Sequence, residues 1–151
     1  MKIDKKIGVV GNGFVGGAVK FSFSPQVGCD AEVRVYDKNP SKSTHGLEET
    51  VNESDFIFLS VPTPANDDGS INISVLEDAL SDINEVHNGK DTAILIRSTV
   101  IPGTTWALQT KYPHLNILFN PEFLTERSAN FDFINQSRFV IGNSGQQIGW
   151  A

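Results

Sequence analysis

The sequence predicts an α/β fold, a doubly wound parallel sheet in one domain. Three observations carry that reading. Apolar runs of strand length alternate with segments of helical period, which is the pattern of strands joined by crossover helices. A glycine-rich turn, Gly11-Asn12-Gly13-Phe14-Val15-Gly16, joins the first strand run to the first helical one. The 151 residues match one domain with a core of its own.

The elements follow in order. Ile7–Val10 is a short buried run, and the apolar-rich stretch Phe14–Phe23 after the turn is helix-capable. Glu32–Tyr36 alternates around Val33 and Val35 and reads as a strand. Asp55–Val61 and Ala93–Ile96 are continuous apolar runs, as expected of strands covered on both faces. Between them, Ser74 and Glu77 have capping-box spacing, and Leu76, Leu80, Ile83 and Val86 recur at helical intervals. Gly103–Lys111 reads as a short helix opened by Pro102 and stopped before Pro113. Leu115–Phe119 is a further strand, and Arg138–Ile141 is expected to close the series. Thr44–Asn52 is expected to run almost directly into the third strand.

Composition excludes several classes. A net charge of −6 repels phosphate backbones, so nucleic acid is not an expected partner. The one cysteine, Cys29, rules out an internal disulfide and a cysteine-built metal site, and no metal is expected. Neither a secretory signal nor a span of ~20 apolar residues is present, so a cytoplasmic protein without a membrane partner is expected.

The glycine turn has the context that gives such a turn meaning. A buried run leads in, a helix leads out, and Asp37 follows Gly16 by 21 positions at the end of the second strand run. Gly11 permits the tight turn, Gly13 lets backbone approach a pyrophosphate, and Gly16 lets the helix pack closely. The amides of Phe14 and Val15 then belong to a helix N-terminus with free N–H groups and about half a positive charge. Asp37 would accept hydrogen bonds from the adenosine ribose and repel a 2′-phosphate. The cofactor expected is NAD, held by a Rossmann-type dinucleotide-binding domain.

Three later segments also lie just after strand runs: Ser60-Val61-Pro62-Thr63-Pro64, Arg97-Ser98-Thr99-Val100-Ile101-Pro102-Gly103-Thr104 and Asn120-Pro121-Glu122-Phe123-Leu124-Thr125-Glu126. Singly, each has a plain structural reading. Proline ends a ladder, threonine caps a helix, and a loop glutamate is a solvated charge. Together with the glycine turn, the four ordered motifs closely resemble the NAD-binding domain of the UDP-glucose/GDP-mannose dehydrogenase family, from about Lys6 to Gly142.

That resemblance implies a chemistry. Members oxidise the C6 alcohol of a nucleotide sugar to a carboxylate in two NAD-dependent steps, through a cysteine-bound thioester. It implies that Gly11, Gly13, Gly16 and Asp37 hold the cofactor, that Lys42 reaches the adenosine ribose or phosphate, and that Thr63 and Thr99 line the nicotinamide half. Thr99 also matches a residue that positions the reactive water, and Glu122 one that handles it. Glu126 matches a second acidic group near the active site; which glutamate takes the proton is open. Phe123 and Leu124 match residues whose backbone contacts the nucleotide sugar, with UDP-glucose the foremost substrate.

The sequence departs from the family in three places. A Gly-x-Cys-x-Pro-Lys-Asp segment has no counterpart. The expectation is therefore residues 1–151 as the cofactor half of a longer, homodimeric parent, lacking the central helix and the nucleotide-sugar domain, and inactive alone. The stretch from Asp37 to Asp55 is short, as in compact relatives. Arg127 stands where many relatives have glycine. Two other readings remain open: a non-catalytic NAD-binding module and a β-hydroxyacid dehydrogenase relative. Trp106 and Trp150 suit packing, Cys29 a small apolar filler, and His45, His87 and His114 surface positions.

Overall fold

The structure is a computed structural model and describes residues 2–143. Its strands are β1 (Lys2–Val10), β2 (Asp30–Tyr36), β3 (Phe56–Leu59), β4 (Ala93–Ile96) and β5 (Asn116–Phe119). Its helices are α1 (Phe14–Ser22), α2 (Leu47–Asn52), α3 (Ser74–Val86), α4 (Thr104–Lys111) and α5 (Ala129–Asn135). The strands pair in parallel throughout, in the order β2-β1-β3-β4-β5. The chain steps outward from β1 to β2, then returns across β1 to β3. A crevice therefore opens at the carboxyl ends of β1 and β3, where the winding reverses.

Strand periodicity divides the core into two layers. On one face Val10, Ile57, Leu59, Ile94, Ile96 and Ile117 pack with Val51 of α2, Leu76, Leu80 and Ile83 of α3 and Leu108 of α4. On the other, Ile7, Val9, Val35, Phe58, Leu95 and Leu118 pack with Ala18 and Val19 of α1 and Phe133 of α5. Successive residues of β3 and β4 thus fall into opposite layers, as a pleated strand requires. Each fully buried leucine or isoleucine contributes roughly 1.5–3 kcal/mol. The sheet is the double-sided fold the sequence predicts.

Several local expectations are corrected. Arg138–Ile141 forms no strand. Gly142 alone makes an antiparallel bridge with Phe119, and the Val140 carbonyl is taken by the Asn120 side chain at 2.8 Å. Phe139 and Ile141 instead border an apolar hollow of about 790 Å³ over Phe56, Phe58 and Leu118. The Ser74–Glu77 capping box does not form: Ser74 lies inside α3, and its N–H donates to Asn72 Oδ1 at 2.9 Å. Asn72 offers its acceptor two residues before Ser74, and Ile73 rather than the serine holds the cap position. Thr44–Asn52 does run almost directly into β3, and it contains α2, which buries Thr50 and Val51. Trp106 is 63% exposed on α4, because Leu108 and Gln109 take the inward face. Trp150 lies outside the described residues. Among the described residues no helix is long and apolar enough to cross a membrane.

Candidate dinucleotide site

The glycine turn is shaped by contacts that leave no room for side chains. Gly11 sits at φ +91°, and a Cβ there would lie 2.4 Å from the Ser60 carbonyl oxygen at the end of β3. A Cβ on Gly16 would lie 1.9 Å from the Gly11 carbonyl oxygen and 3.1 Å from Val9 Cγ1. Gly16 therefore lets α1 close on the turn itself as well as on the sheet. Gly13 differs: its φ is −81°, and a Cβ would meet no protein atom within 4 Å. Nothing within the protein demands glycine there, yet Gly13 lines the crevice.

The turn is braced to the end of β2. Gly11 N–H donates to the Tyr36 carbonyl at 2.9 Å, and Asn12 N–H donates to Asp37 Oδ2 at 2.7 Å. Asn39 N–H donates to Asp37 Oδ1 at 2.8 Å, while Asn12 Nδ2 donates to the Lys42 carbonyl at 2.8 Å. Each carboxylate oxygen of Asp37 keeps lone-pair capacity for a ligand, since a carboxylate has about four acceptor sites. The first turn of α1 has no side-chain cap and no acidic residue, so its N–H groups stay available.

Across the crevice the loops after β3, β4 and β5 are tied to each other. Ser98 Oγ donates to the Val61 carbonyl at 2.6 Å, and Thr63 Oγ1 donates to the Thr99 carbonyl at 2.8 Å. Beneath them Arg97 is buried, 1% exposed, with its guanidinium 5.1 Å from the Phe133 ring centroid and 6.0 Å from that of Phe58. Its Nη1 donates to Asn120 Oδ1. Burial pushes Arg97 down to about 10, and the Glu122 carboxylate works against that shift. Glu122 is half-buried, and desolvation raises its carboxyl above the ordinary range while Arg97 and the Leu124 N–H pull it back.

These parts enclose one cavity of about 550 Å³, within the range of small-molecule sites. Gly11, Gly13, Phe14, Val15, Asp37, Lys42, Thr63, Thr99 and Glu122 line it, as the sequence anticipates. Gly16 lies beneath the turn rather than in the wall. Phe123, 69% exposed, and the exposed Glu126 stand outside the wall, and Leu124 packs instead against the α1/α5 core. Sequence reasoning singled out neither Asn12 nor Arg97 as a site residue. A charged residue directly after the wholly buried Ala93–Ile96 run is the signal that marks Arg97.

Residues 41–149 match the UDP-glucose/GDP-mannose dehydrogenase family, NAD binding domain. The chain belongs to that family. The UDP-glucose 6-dehydrogenase of Rickettsia felis is 32% identical over 115 residues, which are 74% of this chain and 25% of that protein. UDP-glucose 6-dehydrogenase AglM of Haloferax volcanii is 32% identical over 122 residues, 73% of this chain and 28% of that protein. A UDP-glucose dehydrogenase structure from Pyrobaculum islandicum superposes with a TM-score of 0.77 at 28% identity, over 91% of this chain and 40% of that one. The chain thus spans about a quarter of the length of the curated relatives it matches.

The bare Gly13, the uncapped α1, the Asp37 carboxylate and the cavity they share are features that fit an NAD molecule. The family match also takes the place of the β-hydroxyacid dehydrogenase alternative.

Proposed function

We propose that this domain is the cofactor half of a nucleotide-sugar 6-dehydrogenase that oxidises UDP-glucose at C6 to UDP-glucuronate, in a homodimeric cytoplasmic parent. The observation that carries the reading is the single cavity in which the glycine turn, Asp37, Thr63, Thr99 and Glu122 meet. When bound, NAD supplies the acceptor for the hydride that leaves C6. The N–H groups at the start of α1 hold the pyrophosphate, and Asp37 accepts from the ribose hydroxyls while repelling a 2′-phosphate. Lys42 stands beside the ribose and phosphate. Thr63 and Thr99, coupled by their hydrogen bond, fix the nicotinamide end.

Glu122 takes the proton from the water that hydrolyses the thioester. Desolvation raises its carboxyl toward a basicity suited to that task, and it lines the cavity, whereas Glu126 is solvent-exposed and plays a supporting part. Phe123, Leu124 and Glu126 meet the sugar nucleotide only with the nucleotide-sugar domain in place. The thiol comes from that same part of the parent, because Cys29 immediately precedes β2, at the amino end of a strand whose carboxyl end lines the cavity.

Calorimetric titration tests the cofactor half: NAD should bind this chain more tightly than NADP, and equal affinities would contradict the role of Asp37. Absorbance of NADH tests the rest. The chain with UDP-glucose and NAD should yield none, and the longer parent should yield two per sugar. The presence of one cysteine also favours a second reading, an NAD-binding module that never reduces its cofactor. A parent that binds NAD yet oxidises no sugar nucleotide would establish that module.

A further inference from the structure

Arg97 is a buried cation with too few partners. Its Nε and Nη2 meet no acceptor among the described residues, and the buried Glu122 Oε2 meets no donor. Both residues line the same cavity wall. An uncompensated charge in such a place is strongly unfavourable, so what surrounds it must offset it. Two aromatic faces, Phe58 and Phe133, supply part of that compensation. The Glu122 carboxylate supplies the opposite charge.

The guanidinium also holds the chain that carries Glu122. Its Nη1 donates to Asn120 Oδ1, and Asn120 Nδ2 donates in turn to the Val140 carbonyl at 2.8 Å. Asn120 is two residues before Glu122 and is itself buried. Asp37, Lys38, Lys42, Asp82 and Tyr36 line the cavity as well, but Arg97 is the charge whose field acts on Glu122.

We propose that Arg97 is a positioning residue for Glu122: it pins the loop after β5 through Asn120 and sets a fixed cation against the Glu122 carboxylate. The inference rests on the reading of Glu122 as the group that takes a proton from water. It requires Arg97 to affect the charge state of Glu122 as well as the stability of the fold.

Carbon-detected NMR titration of the full chain, with Glu122→Gln assigning the resonance, reads this directly. In Arg97→Met the Glu122 titration should move up, and Arg97→Lys should restore most of that move. An unmoved titration in a folded Arg97→Met would overturn the proposal. Should Arg97→Met fail to fold, the wild-type Arg97 Nε–H resonance provides the same test. Its shift should follow the Glu122 titration and lose that step in Glu122→Gln; a featureless Nε–H profile would overturn the proposal too. Neither measurement depends on turnover. A parent enzyme whose thioester hydrolysis ignored Glu122 would therefore sink the functional reading and leave this coupling standing.

Discussion

The two ends of the cavity are built from different materials. At the ends of β1 and β2 the wall is backbone: the glycine turn, amide donors, and one carboxylate that already holds two of those amides. At the ends of β4 and β5 it is side chain, with a buried guanidinium, a carboxamide and a half-buried carboxylate around it. A backbone-built surface fails when an atom is added, because the space was never there. A charge-built surface fails when a charge is removed, because its partner then stands in low dielectric alone. The same cavity should therefore respond in opposite ways to substitution at its two ends.

The largest effect belongs to the first end. Gly16→Ala places a methyl 1.9 Å from a carbonyl oxygen that belongs to the turn, so helix and turn must separate. Urea denaturation should show a loss of about 3 kcal/mol, at the upper end of overpacking costs. Gly13→Ala is its control. That methyl meets no protein atom, so stability should change by less than about 0.5 kcal/mol. NAD affinity should nevertheless fall by about tenfold or more, as the methyl keeps the pyrophosphate from the α1 amides. Equal destabilisation by the two alanines would erase the distinction between a glycine needed by the fold and one needed by the ligand.

Asp37→Ala comes next, and it tests the carboxylate of the backbone-built end. NAD binding should weaken by about 1.5–3 kcal/mol, as for a lost charge-assisted hydrogen bond. NADP should lose less, since the variant also removes a repulsion. Stability should fall by about 1 kcal/mol per released amide, those of Asn12 and Asn39. Parallel titrations of both cofactors, with a melting curve for each protein, separate the two losses.

The contrast between the ends also explains what the sequence made legible. The glycine spacing, the helix after it and the acidic residue at the end of the next strand run all lie in one short stretch of chain, so the turn, its helix and Asp37 are legible in the sequence. The long apolar runs make the sheet legible too. Arg97 resisted that reading because its meaning lies in Phe58, Phe133 and Asn120, which the fold gathers from three other elements. The short α2 and α5 offered too few turns for a period to emerge. The apolar run Arg138–Ile141 looked like a strand, but Asn120 takes the Val140 carbonyl and leaves only Gly142 to pair with Phe119.

The smallest effect belongs to the charge-built end and appears only as a function of pH. Burial raises the Glu122 carboxyl in the folded chain, whereas in the unfolded chain it titrates at its ordinary value. Between those two values the folded state binds more protons than the unfolded one. Stability is therefore fully present below the ordinary carboxylate range and is lost as pH rises through the raised value. Glu122→Gln keeps the shape and removes the titration. Wild type and variant should unfold alike in mild acid, and the variant should gain as pH rises toward neutrality. The gain should stay below about 1 kcal/mol, because the carboxylate is half-exposed and solvent screens it. Urea midpoints measured across that range check the prediction, and a difference that did not vary with pH would place the cost of Glu122 in packing rather than in charge. NAD affinity should change by no more than about twofold, since the groups that bind the pyrophosphate and ribose sit at the other end of the cavity.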